Sequence, residues 1–259
     1  MPDFLDVLAR DAKETVNGGY YKVSTQLVVP SVSLKKAIVE SKKNAVITEV
    51  KAASPSRGTI RKSFDPEEVA VAMENGGATG ISVLTEPKHF SGSLSYLEKI
   101  RKATKLPILM KDIIINQSQL ETASRIGANA VLLIEALFER EYCECNIDEM
   151  ISQAHARNLE VLLEIHNENE FQSAINSDAD LIGINNRDLR TLKVDIRITE
   201  RILKRYVTHE KIVVSESGVM SPADLLFLRR CGAQAFLIGS AIMMAGNIEK
   251  KVKEFVTAH

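Results

Sequence analysis

Eight short apolar runs punctuate the chain: AVITEVK (45–51), GISVLTE (80–86), PILMKD (107–112), AVLLIEAL (130–137), EVLLEIH (160–166), LIGINNRD (181–188), KIVVSESG (211–218) and AFLIGSA (235–241). Rich in β-branched residues and nearly continuous in apolar character, they read as strands buried on both faces, hence a parallel sheet covered by helices. Between the runs the period lengthens to that of a helix. In SLSYLEKIRKAT, Leu94, Leu97 and Ile100 share one face while lysine and arginine take the other. Asp65–Pro66 and Ser221–Pro222 are helix starts, a capping side chain followed by proline. The joints GGATGI, IGANAV and CGAQAF place glycine where a helix would stop. Strand starts recur about every 20 to 35 residues, the length of one β–α unit. Eight such units over residues 45–259 predict a (β/α)8 TIM barrel. The competing architecture is an open doubly wound sheet, whose GxGxxG signal is missing after the first strand. Residues 1–44 precede the first strand and hold two helical patterns, the second with Leu34, Ala37, Ile38 and Ser41 on one face. They predict an N-terminal helical extension packed on the barrel (45–259), the whole chain forming one domain.

Composition narrows the function without naming it. With 259 residues, 45% of them hydrophobic and 26% charged, the chain has the make-up of a globular protein with a sizeable core. A net charge of −1 argues against nucleic acid or an anionic membrane as the main partner. No apolar run nears the roughly 20 residues of a membrane helix, and the start MPDFLDVLARD does not read as a signal peptide. Cys143, Cys145 and Cys231 form no usual metal half-site and read as packing or surface residues of a reduced, cytoplasmic protein.

The chemistry gathers where the runs end. Polar side chains stand there in nearly every case: Glu49 and Lys51, Lys111, Glu164, Asn185 and Arg187, Glu216 and Ser217, and Ser240. Strand side chains alternate, so Glu49 and Lys51 share a face with Ile47, Lys111 with Leu109, Glu164 with Leu162, and Asn185 and Arg187 with Gly183. In a barrel these ends converge on one mouth, where active sites are built. Two lysines, an arginine and three carboxylates would face one another above an apolar floor, a set too costly to desolvate for packing alone. Asp112 has the opposite parity to Lys111 and is expected against the helical layer. His166 reads as a structural histidine and His89 as a loop residue. After the seventh and eighth runs, Gly218, Leu237, Gly239 and Ser240 are candidate phosphate-binding residues, the glycines letting backbone N–H groups approach an anion.

In chain order, EVKAASPSRG, SVLTEPKHFSGS, LPILMKDIII, LLEIH, IGINNRDL, VSESGV and AFLIGSAIM resemble the indole-3-glycerol phosphate synthase family of tryptophan biosynthesis. That resemblance implies a (β/α)8 barrel with an N-terminal helical extension. It also implies a carboxy-lyase reaction that closes a pyrrole ring on 1-(2-carboxyphenylamino)-1-deoxyribulose 5-phosphate, releasing CO2 and water without metal or organic cofactor. Carried over, it makes Lys111 the acid that polarises the ketone, and gives Glu164 and Glu49 the base and acid tasks of dehydration, assisted by Lys51. Asn185 and Arg187 would orient the anthranilate carboxylate and hydroxyls, Phe90 would pack on the aromatic ring, and Glu216 and Ser217 would bind substrate. Opposite charges would keep the lysines protonated and the carboxylates ionised. Ser54 to Gly58 would form a mobile loop beside the phosphate. The chain departs from the family in Ile113, where phenylalanine is usual, in Thr48 on the outward face of the first strand, and in NGGYYKV (17–23) of the extension. A phosphoribosylanthranilate isomerase would be expected to carry a cysteine base at the end of the first strand, and a silent scaffold barrel would lack Lys111 or Glu164. The expected partner is a small phosphorylated molecule, bound by a monomer or weak homo-oligomer, with contact to other tryptophan-pathway enzymes left open.

Overall fold

The structure is a computed structural model that describes residues 3–28, 30–54, 58–61, 63–208 and 210–259. Eight parallel strands close into a barrel: β1 (Ala45–Val50), β2 (Gly80–Leu84), β3 (Ile108–Lys111), β4 (Ala130–Ile134), β5 (Glu160–Ile165), β6 (Leu181–Asn185), β7 (Ile212–Glu216) and β8 (Ala235–Ile238). Each pairs with the next in sequence, and β8 closes on β1 with Ala235 opposite Ala45. The expected barrel is therefore present. Two of the apolar runs overshoot their strands. Glu135–Glu139 is a helix that begins directly after β4, and Ser240–Met243 is a helix that begins one residue past β8. A continuous apolar run carries no mark of where strand gives way to helix, so EAL and SA were indistinguishable from strand by hydrophobicity.

Parity divides the interior into two cores. Ile47, Leu109, Leu132, Leu162, Leu181, Val214 and Leu237 point into the barrel, while Val46, Met110, Val131, Val161, Ile182, Val213 and Phe236 pack under the helices. The helix starts behave as their capping residues require: Asp65 accepts the Glu67 N–H at 2.8 Å, and Ser221 forms a reciprocal capping box with Asp224.

The N-terminal segment closes the barrel at both ends. Helix α1 (Phe4–Asn17) lies over the mouth, tied by Asp3 and Asp6 to Arg140 (2.8 and 2.7 Å), by Asp11 to His89 (2.7 Å) and by Glu14 to Lys88 (2.7 Å). Helix α2 (Leu34–Val39) sits at the opposite end, where the Glu160 carboxylate at the start of β5 accepts the Leu34 and Lys35 N–H groups at 2.7 and 3.1 Å. Leu34 and Ile38 enter the inner core there; Ala37 is only half buried and Ser41 lies past the helix end. Gly80 makes room for this contact, since a Cβ on it would stand 2.7 Å from Leu34 Cδ1. Between the helices, the Tyr21 hydroxyl donates to Asp112 at 2.8 Å and the Tyr20 hydroxyl to the Thr85 carbonyl at 3.0 Å. Asp112 thus points outward as parity demands, but meets Tyr21 and Thr85 instead of the helical layer.

Candidate active site

The strand ends converge as the alternation implied. Lys51 pairs with Glu49 at 2.6 Å, and Lys111 donates to Glu164 at 2.8 Å and to Glu216 at 2.9 Å. All three carboxylates are buried, with the inner apolar core as their floor. Gly183 explains how Glu216 fits: a Cβ on this β6 glycine would collide with the Glu216 carboxylate. On the same strand end, the Asn185 Oδ1 accepts the Arg187 N–H at 3.1 Å, and the Arg187 guanidinium donates to the Leu192 carbonyl at 3.0 Å.

One ammonium between two buried carboxylates cannot keep both fully charged. Burial works against the Lys111 charge, yet Glu164, Glu216 and Glu49 together hold its pKa above the ordinary lysine value. Burial likewise opposes the Glu164 charge, but Lys111 on one oxygen and His166 near the other pull its pKa well below the usual carboxylate range. Glu216 is pushed up to about 7, by burial first and then by the charge of Glu164, with Lys111 opposing. The expectation that every carboxylate stays ionised is corrected at this residue. Glu164 has two cations, whereas among the described residues the Glu216 carboxylate is hydrogen-bonded to Lys111 alone and its Oε1 has no partner.

The mouth has two lobes. A narrow slot of about 90 Å³ is walled by Phe4, Leu8, Phe90, Ile113, Leu132 and Ile134. A wider lobe of about 300 Å³ is lined by Ser217, Gly218, Val219, Leu237, Gly239 and Ser240. Glu49, Lys51, Lys111 and Arg187 line both, so the charged groups stand between an apolar slot and a lobe lined by glycine and serine. Ser217 and Gly218 turn with φ of 62° and 92°, a left-handed pair that glycine makes easy at the second position. The chain matches the sequence profile described as indole-3-glycerol phosphate synthase over residues 6–255. It belongs to the indole-3-glycerol phosphate synthase family.

Relatives agree. The indole-3-glycerol phosphate synthase of Caldanaerobacter subterraneus subsp. tengcongensis is 44% identical over 215 residues, covering 83% of this chain and 80% of that protein. That of Methanocaldococcus jannaschii is 45% identical over 227 residues, covering 86% and 82%. Among solved structures, a thiamine phosphate pyrophosphorylase from Pyrococcus furiosus superposes with a TM-score of 0.61 at 17% identity, covering 86% of this chain and 96% of that one, a likeness of fold alone.

Against the family pattern, Ile113 still contributes to the apolar wall, and Thr48 faces outward and donates to the Gly80 carbonyl at 3.3 Å. NGGYYKV anchors the extension through Tyr20 and Tyr21 and lines neither lobe. Instead α1 supplies Phe4 and Leu8 to the slot, which the sequence reading missed. The amphipathic pattern of α1 marked it as a packing helix, with no sign of which end of the barrel it would cover. Glu86 was also missed. Its buried carboxylate accepts the N–H groups of Lys88, His89 and Phe90 at 2.9, 2.7 and 3.1 Å and so aims Phe90 into the slot. His166, expected to be structural, stands 3.2 Å from Glu164. Ser54 lies in a short antiparallel ladder, Ala53–Ser54 with Gly58–Thr59; residues 55–57 of the expected mobile loop lie outside the described residues. Gly239 also differs from expectation. A Cβ there would stand 2.7 Å from Lys51 Cε and collide with Glu49, so this glycine clears space for the ion pair.

Proposed function

We propose that the chain works as a synthase of its family, closing the pyrrole ring of 1-(2-carboxyphenylamino)-1-deoxy-D-ribulose 5-phosphate to give indole-3-glycerol phosphate, CO2 and water. The observation that carries this reading is Lys111, a buried ammonium held charged between Glu164 and Glu216 at the junction of an apolar slot and an anion-sized lobe. The slot fits the planar aromatic ring between Phe90, Leu132 and Leu8. The lobe offers the Gly218, Gly239 and Ser240 N–H groups to the phosphate, with the first turn of Ser240–Met243 behind them. A substrate spanning both places its ketone over Lys111, which protonates the oxygen as the aromatic carbon attacks. Loss of CO2 returns the bonding electrons to the ring. Dehydration then takes a proton from the methylene carbon and gives one to the departing hydroxyl. Glu164, kept ionised by two cations, is suited to the base, and the Glu49–Lys51 pair to the acid. Arg187 and Asn185 orient the carboxylate and hydroxyls from the rim.

Three free cysteines and the absence, among the described residues, of any helix long and apolar enough to cross a membrane are compatible with a cytoplasmic enzyme. We infer one working unit of extension and barrel, a monomer or weak homo-oligomer. The test is direct: purified protein is incubated with the carboxyphenylamino-deoxyribulose phosphate while indole fluorescence is followed. A rise that depends on enzyme concentration is expected, and a flat trace with folded protein would refute the reading.

A further inference from the structure

His166 follows β5 immediately and lies outside both lobes of the mouth. Its ring stands between two carboxylates, Nε2 3.2 Å from Glu164 Oε1 and Nδ1 3.4 Å from Glu170 Oε2, with only 12% of the side chain exposed. On the far side of Glu164, Oε2 accepts from Lys111 at 2.8 Å. A file of four ionisable groups, Glu170, His166, Glu164 and Lys111, therefore crosses the barrel wall. Its outer end opens on a separate cavity of about 430 Å³ lined by His166, Asn167, Glu170, Asp188 and Arg190, which borders the slot only at Leu189.

The proposed reaction gives this file a task. Ring closure places one proton on the ketone oxygen, dehydration places a second on the leaving hydroxyl, and the methylene carbon returns one to the base. Starting from the substrate carboxylate, which leaves as CO2, each turnover consumes one proton net. With the aromatic ring in the slot and the phosphate in the lobe, substrate covers the mouth, so an ammonium that has given up its proton needs another path to solvent.

We infer that His166 is a proton-relay residue that recharges Lys111 through Glu164 from the side cavity, an inference that rests on the synthase reading. The imidazolium gives its Nε2 proton to Glu164 Oε1; rotation of the resulting carboxyl group about its Cγ–Cδ bond carries that proton to the neutral Lys111 amine, Glu164 ends ionised as it began, and His166 regains a proton from water in the cavity. The charge states favour this direction. Burial lowers the His166 pKa, but Glu164 and Glu170 outweigh it and raise it to about 9, while Lys111 is held above the ordinary lysine value. Other charged residues lining the cavity are Asp188 from the loop after β6, Arg190 and Arg201 beyond it, Glu139 and Arg140 after β4, and Asp3 at the start of α1. Neither ring nitrogen makes an aligned hydrogen bond, although both are buried. A histidine kept for structure alone would be satisfied at such a site; here a rotation of the ring brings an N–H onto either carboxylate.

The relay predicts a kinetic pattern that a packing role would not give. In His166→Ala, Lys111, the nearer cation at 2.8 Å, still holds Glu164 ionised, and the first turnover uses protons already on Lys111 and Lys51 and runs within a few-fold of the wild-type rate. Later turnovers slow by about 10²-fold, KM falling in step because kcat/KM reports the unimpaired first turnover, so rapid mixing shows a burst of one product per site. Added imidazole, small enough for the side cavity, restores the slow phase in proportion to its protonated form. His166→Asn, which keeps polarity without a titrating ring, behaves as His166→Ala. Equal losses in first and later turnovers without imidazole rescue, or full steady-state activity in both variants, would overturn the relay. Wild-type protein inactive on the substrate would instead overturn the synthase reading itself.

Discussion

The ends of β6 and β7 carry two polar clusters back to back, one facing the mouth and one facing the helices. Outside, Asn186 donates to the Ser215 hydroxyl and to the Glu216 and Ser217 carbonyls at 3.0, 3.0 and 3.1 Å, and its Oδ1 accepts from the Thr199 N–H and hydroxyl. The three side chains, Asn186, Thr199 and Ser215, are neutral, buried and hydrogen-bonded. Inside, one residue away in sequence, Glu216 shares a single ammonium with Glu164 and keeps one oxygen unpaired. The same strands thus present a closed network to the core and an open one to the cavity. A satisfied neutral network fixes geometry and has nothing left to offer a ligand. A charged, under-satisfied one is costly and leaves hydrogen-bonding capacity that a ligand can take up.

Deleting the inner ammonium should have the largest effect. Lys111→Met is expected to lower kcat by about 10² to 10⁴, the usual range for loss of a general acid, with fold and substrate affinity largely kept. Fluorescence progress curves with circular dichroism check both halves, and wild-type turnover would remove Lys111 from the mechanism. The outer cluster should respond in the opposite sense. Asn186→Ala strands several buried partners and is expected to cost about 2–3 kcal/mol of stability, read as a lower midpoint in urea, while turnover per folded molecule stays near wild type. A stable variant with collapsed turnover would erase the division between the two faces.

Much of this was legible because barrel strands obey a simple alternation. Strand count, the inward set Glu49, Lys51, Lys111, Glu164 and Glu216, and the outward turn of Asp112 all follow from periods of two and from where apolar runs stop. What escaped the sequence depends on contacts between distant segments. Phe4 and Leu8 reach the slot because Arg140 and His89 hold α1 over the mouth, a pairing 134 residues apart in the case of Asp6. His166 looked isolated because Glu170 joins it only once the next helix has formed, and the raised pKa of Glu216 needs Glu164 across two strands.

Gly239 tests whether lobe and ion pair are separable. From sequence alone, an added methyl should displace only the phosphate and raise KM. In the structure that methyl meets Glu49 and Lys51 first, so Gly239→Ala should lower kcat as well as raise KM, with a combined loss of about tenfold in kcat/KM. Steady-state kinetics with inorganic phosphate as competitor separates the two: a pure KM effect with unchanged kcat would show that the ion pair tolerates the intrusion.

The smallest expected effect lies in the pH profile of Glu216. Its pKa of about 7 places the protonated carboxyl below neutrality and the carboxylate above it. Above pH 7 the new charge repels the substrate's phosphate and carboxylate and competes for Lys111, which is 2.9 Å away. The sign follows: kcat/KM, which reports the free enzyme, should fall as pH rises through about 7. Glu216→Gln holds the neutral form at all pH values while keeping the shape that Gly183 accommodates. The variant should match wild type within a few-fold at the acid end and lose the limb near neutrality, leaving kcat/KM flat through about pH 7. If the limb persists unchanged in the variant, the titrating group lies elsewhere, and the inner cluster is as fully satisfied as the outer one.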